Sequence, residues 1–126
     1  MAKKIIKTDN APAPIGPYNQ AVLTGNLLFI SGQIALIPGT PDLNNTDIAA
    51  ETNQVMNNLK AILSAASADF SHVVKTTIFL SDMNLFAEVN EIYGRYFADS
   101  FPARETVAVK GLPKNVNVEI SMIASI

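Results

Sequence analysis

The chain has 126 residues, 48% of them hydrophobic and 16% charged, with a formal net charge of −2 and no cysteine. That length suits one domain, residues 1–126, burying about two-thirds of its unfolded surface, and the composition excludes a disordered chain. The charge balance argues against electrostatic capture by nucleic acid or an anionic membrane. Without cysteine there is no disulfide, thiolate nucleophile or cysteine-type zinc site.

The charge fraction lies below the usual quarter of residues, so little charge is left to cover the surface, and self-association is one way to resolve the deficit. Lack of cysteine fits a cytoplasmic location. The start, Lys3-Lys4-Ile5-Ile6-Lys7, carries no signal-peptide core, and no run is long enough for a membrane span.

Lys4–Lys7 predicts a short first strand. Asn10–Tyr18 contains three prolines and a glycine in nine residues, which rules out a helix or a central strand. It reads as a stiff extended loop, with Tyr18 either packed at its end or walling a pocket. Gln20–Thr24 and Leu27–Ser31, joined by Gly25-Asn26, predict a tight hairpin. Gly32, just beyond it, permits a bulge or the close approach of a ligand or another backbone. Thr46 or Asp47 can cap a helix whose apolar stripe runs through Ile48, Val55, Leu59, Ile62, Leu63 and Ala66 to about Ser67. Glu51, Asn53, Asn57, Asn58 and Lys60 are expected off that stripe. His72, the only histidine, makes neither a metal site nor a triad by itself.

Val73–Leu80 is β-branched and mostly apolar, as in a central strand. Ser81–Asn84 predicts a turn and a second cap. Leu85, Phe86, Val89, Ile92, Tyr93, Tyr96 and Phe97 mark a second one-faced helix that also carries Asn90. Two alternating runs close the chain, Phe101–Thr106 and Val116–Met122. The turn residues Gly111, Pro113 and Asn115 lie between them, and the pair reads as a hairpin with a long loop. On the second run Val116, Val118, Ile120 and Met122 share one face, and Asn117, Glu119 and Ser121 the other. Arg104 offers a planar fork that matches a carboxylate in two hydrogen bonds. Glu119 is a carboxylate able to take a proton from water. The bland alternative is a solvated cross-strand pair of charges. The order of strands, helix, strand, helix, strands predicts an α+β layer with two helices on one face of a sheet. The other face is left for solvent or a partner.

Four segments together carry a resemblance: Ala13–Tyr18, Ser31–Ile34, Phe101–Arg104, and Leu112–Lys114 with Val118–Ile120. In order and spacing they resemble the reactive-intermediate deaminase family (RidA, also called YjgF-like), over essentially the whole chain. The resemblance implies a chorismate-mutase-like mixed sheet with two helices on one face. It also implies a homotrimer with a cleft at each subunit interface. The implied reaction is hydrolysis of 2-imino acids or their enamines, such as 2-iminobutanoate and 2-iminopropanoate, to 2-oxo acids and ammonia, with no metal or cofactor. By motif, Arg104 would hold the substrate carboxylate and Glu119 would orient or activate water. Tyr18, Ser31 and Gly32 would line the cleft, and Asn90 would approach it from a helix. Thr106 stands where the family often has cysteine. Glu105 stands where smaller residues are usual, and a bend in the strand would let it pair with Arg104. Two other classes compete: a ligand-binding regulatory protein with the same cleft, and an RNA-acting protein. The second is disfavoured by the net charge and by the lack of a basic, aromatic-interleaved stretch.

Overall fold

The computed structural model describes residues 2–126. Six strands form one sheet: β1 (Lys4–Ile6), β2 (Ala21–Thr24), β3 (Leu27–Gln33), β4 (Val73–Leu80), β5 (Ala103–Ala108) and β6 (Val118–Ser125). Two helices, α1 (Ile48–Ala65) and α2 (Phe86–Gly94), complete the α+β fold. The strand order is β1-β2-β3-β6-β4-β5. Every pairing is antiparallel except β4 with β5, which run parallel on either side of the α2 crossover. The Gly25-Asn26 hairpin forms as expected, with Gly25 at φ +59°.

Asp47 caps α1, its carboxylate accepting from the Ala50 N–H at 2.7 Å. Asp82 caps a single 3₁₀ turn that leads into α2. That helix ends at Gly94, so Tyr96 and Phe97 lie beyond it, although Phe97 still packs on Phe70 and Tyr93. The core lies between the helices and one sheet face. Val55, Met56, Leu59, Ile62 and Leu63 of α1 and Val89 of α2 pack on Leu28, Ile30, Ile78, Leu80, Val118, Ile120 and Met122.

Two expectations need correction. The runs around Arg104 and Glu119 are not a hairpin, because β4 lies between β5 and β6 and pairs with both. The turn residues between the runs make a loop and a 3₁₀ turn instead. Their length carries the chain past the intervening strand. Glu51 and Asn58 are also not on the exposed side of α1, for both are buried. The Asn58 amide donates to the Ile34 and Leu36 carbonyls at 3.1 and 2.9 Å. Glu51 accepts from the Asn117 and Val118 N–H groups at 2.7 and 2.9 Å. These bonds satisfy backbone groups that the sheet leaves unpaired inside the core.

Among the described residues of one copy, nothing covers the apolar rows on the sheet face away from the helices. Ile5, Val22, Phe29, Ile123 and Lys75 form one row across it, and Val107, Phe79 and Glu119 another. Phe29 and Val107 are each 43% exposed. No helix among the described residues is long and apolar enough to cross a membrane.

Candidate active site

The proline-rich loop before β2 is held by one buried side chain that sequence patterning did not single out. Gln20 accepts from the Thr8 N–H at 2.7 Å and donates to the carbonyls of Thr8 and Pro12 at 3.0 and 2.8 Å. Ser31 adds a second tie, its hydroxyl donating to the Asn19 carbonyl at 2.6 Å. Tyr18 sits between these anchors, half exposed, with its hydroxyl accepting from the Ile15 N–H at 3.4 Å. The phenolic proton therefore remains free to donate.

The loop walls a cavity of about 60 Å³ whose lining includes Tyr18, Gly32, Gln33, Ile34, Pro113 and Glu119. The β3–β6 register shifts between Ile30 and Gln33. That irregularity presents Gly32 to the Glu119 side chain. A Cβ placed on Gly32 would lie 2.9 Å from the Glu119 carboxyl carbon and closer still to one of its oxygens. The room beside the Gly32 Cα is thus taken up by the Glu119 carboxylate. Among the described residues the Glu119 carboxylate makes no ion pair and accepts no hydrogen bond, while its backbone pairs with Phe79 in the sheet. Burial pushes its carboxyl above the ordinary value, which favours a proton acceptor working near neutrality.

Gly32→Ala should leave the fold intact and swing the Glu119 carboxylate out of this position, because the obstructed group is the end of a flexible side chain. Catalysis that depends on that carboxylate should fall on the order of 10²-fold, the usual result of a misplaced group. The check is steady-state kinetics beside a thermal melt. Unchanged kinetics would show that the Glu119 position is not used.

Arg104 lies elsewhere. It pairs in register with Thr76, a residue of the buried, helix-facing side, whereas Glu119 pairs with Phe79 on the open side. The two side chains leave opposite faces of the sheet. Arg104 instead borders a wider depression of about 460 Å³ with Asn90, Tyr93, Gly94, Phe101 and Pro102. Its guanidinium carbon stands 5.2 Å from the Tyr93 ring centroid and 5.7 Å from that of Phe86. Thr106, two residues on, shares the Arg104 side of the strand, and its hydroxyl is buried without a partner. Glu105 faces the open side. There it accepts from the Thr77 hydroxyl at 2.9 Å and pairs with Lys75 at 3.2 Å. The Thr77 hydrogen bond, reinforced by Lys75, holds its carboxyl below the usual range. It therefore does not compete for Arg104.

One copy accordingly brings Tyr18, Gly32 and Glu119 together, and separately Arg104 and Asn90. Ser31 anchors the loop from behind rather than facing the cavity.

The α+β sheet thus carries a half-buried carboxylate on one side and a guanidinium on the other, neither in an ion pair among the described residues. The family model described as endoribonuclease L-PSP matches residues 8–126, and the chain belongs to that family, the RidA/YjgF family. It is 53% identical to the protein DfrA of Myxococcus xanthus, over 98% of this chain and 96% of that one. It is 47% identical to the 2-iminobutanoate/2-iminopropanoate deaminase of Bos taurus, over 98% of this chain and 90% of the relative. A solved Rid-family structure from Yersinia pestis superposes with a TM-score of 0.95 at 47% identity, covering 99% of this chain and 100% of that one.

Proposed function

We propose that the chain hydrolyses 2-imino acids, including 2-iminobutanoate and 2-iminopropanoate, to 2-oxo acids and ammonia. The working unit is a cytoplasmic homotrimer whose clefts join the Arg104 side of one copy to the Glu119 side of the next. Glu119 carries the reading: a carboxylate half buried beside Gly32, with no cation paired to it among the described residues, is poised to take a proton. The opposed directions of Arg104 and Glu119 supply the reason for an interface. The uncovered apolar face around Phe29, Ile123 and Val107 supplies the surface to build it.

In the reaction, Arg104 binds the substrate carboxylate in a two-bond fork. Asn90 and the Thr106 segment border it, and Tyr18 closes the other wall. Water adds through its oxygen to the iminium carbon while Glu119 takes one of its protons, giving a carbinolamine whose nitrogen is an uncharged amine. Glu119 then returns that proton to the nitrogen. The carbon–nitrogen bond breaks as the hydroxyl oxygen forms the carbonyl and its proton passes back to Glu119. Ammonia leaves and carries that proton away as ammonium. The iminium carbon is already electrophilic, so positioning and proton transfer suffice.

The test follows hydrolysis of freshly generated 2-iminobutanoate above its spontaneous rate, for the wild type and Arg104→Ala. A wild-type rate no faster than background ends the proposal. Sedimentation at micromolar concentration should show a species of three 13.5 kDa chains; a single-chain species alone would contradict the interface cleft.

A further inference from the structure

We propose that Tyr93 and Phe86 form an aromatic cradle that positions the Arg104 guanidinium, with the Tyr93 ring itself locked through Thr76 to the strand beside Arg104. The proposal rests on the reading of Arg104 as the carboxylate-holding residue and adds what holds it. An arginine that must grip a substrate anion needs a fixed orientation, yet a protein carboxylate holding it would occupy the same N–H groups. Arg104 takes part in none of the ion pairs among the described residues, which are Asp69–His72, Lys75–Glu105 and Glu91–Arg95. Two aromatic faces do the work instead. They attract the cation through their quadrupoles and use none of its five donors.

The Tyr93 ring is not free to turn. Its hydroxyl donates to the Thr76 hydroxyl at 2.9 Å, in a buried bond, and Thr76 is the residue directly opposite Arg104 in the parallel pairing of β4 and β5. Phe97 also packs against the ring, 4.9 Å between centroids. Backbone pairing, hydroxyl bond and ring contact thus close a circuit through Arg104, Thr76 and Tyr93. Phe86 completes the cradle from the first turn of α2. The cradle also explains why aromatic residues at helical spacing here serve more than the core.

The chain has two arginines, Arg95 and Arg104, so their side-chain Nε–H resonances separate cleanly in a ¹⁵N-labelled sample. Arg95 is exposed in a pair with Glu91 and serves as the internal reference. The Arg104 Nε–H proton is expected upfield of it, shifted by the ring currents of Tyr93 and Phe86. Phe86→Leu and Tyr93→Leu should each move that resonance toward the Arg95 position. Each should weaken 2-oxobutanoate binding, measured by calorimetry, by roughly three- to thirtyfold, the range spanned by a cation–π contact. KM should rise more than kcat falls, because the lost interaction concerns binding. Tyr93→Phe keeps the ring face and should recover most of the affinity that Tyr93→Leu loses. If Tyr93→Leu does not fold, Phe86→Leu decides, since Phe86 is only partly buried. A wild-type Arg104 resonance with no upfield shift would overturn the cradle, and so would a Phe86→Leu variant with unchanged resonance and affinity. If Arg104→Lys leaves 2-oxobutanoate affinity untouched, the carboxylate-holding role fails instead, while the Arg104 resonance of the wild type still reports on the cradle.

Discussion

Glu119→Gln is expected to lower imine hydrolysis by roughly 10²-fold or more while 2-oxo acid affinity survives. The substitution keeps the shape that fills the space over Gly32 and removes the basic oxygen, and loss of a general base costs about 10²–10⁴-fold. A pH profile gives the same claim a second face. Burial holds the Glu119 carboxyl above its ordinary value, and the catalytic form is the deprotonated one. The kcat of the wild type should therefore fall as pH drops through a value raised above that of an ordinary glutamate. In the substrate complex the Arg104 charge is matched by the substrate carboxylate, so it does little to reverse that direction. The Gln variant should lack this acid limb. Equal rates for the variant and the wild type would remove Glu119 from the mechanism. Joint loss of affinity and assembly would make it structural.

The second large effect belongs to Arg104→Lys. An ammonium keeps the charge but presents it as a point, without the planar pair of parallel donors. It is also too compact to span the Tyr93 and Phe86 faces as a guanidinium does. A charge-assisted hydrogen bond is worth about 1.5–3 kcal/mol, so kcat/KM should drop roughly 10- to 150-fold at 1.36 kcal/mol per decade. Most of that drop should appear in KM. Kinetics on 2-iminobutanoate across a range of concentrations measure it, and an unchanged kcat/KM would sink the assignment of Arg104 to the substrate carboxylate.

Much of the architecture could be read from local signals. Gly25-Asn26 marked the first hairpin, Thr46-Asp47 and the Ser81–Asn84 turn marked the cap regions, within which Asp47 and Asp82 make the bonds, and the alternation of Val118, Ile120 and Met122 marked the buried face of the last strand. Strand pairing was a different matter. The residues after Arg104 look like a strand followed by turn chemistry, but which strand they join depends on the α2 crossover, which lays β5 parallel to β4. The reading of Arg104 and Glu119 as one hairpin's pair failed for that reason, although each residue was legible by its chemistry. Periodicity did hold a missed signal for α1. Glu51, Val55, Asn58 and Ile62 are spaced three and four apart, so the two polar residues were in phase with the buried stripe. They were set aside because polar groups are usually outside, and the backbone groups they satisfy are 22 to 67 positions away in sequence. Gln20 was hidden in the same way: its partners belong to the loop it clamps. The Arg104 cradle was legible only in part, since the spacing of Phe86 and Tyr93 placed them on one helix but could not say that Arg104 lies across them.

The central claim is that the site forms between copies, from Arg104 of one and Glu119 of the next. Mixing Arg104→Ala and Glu119→Gln chains tests it directly: equal amounts are unfolded and refolded together, and 2-iminobutanoate hydrolysis is measured against each variant alone. If the cleft spans the interface of a cyclic trimer, about one interface in four joins an intact Arg104 to an intact Glu119. The mixture should then recover about a quarter of wild-type activity. A mixture no more active than its separate components would contradict the account.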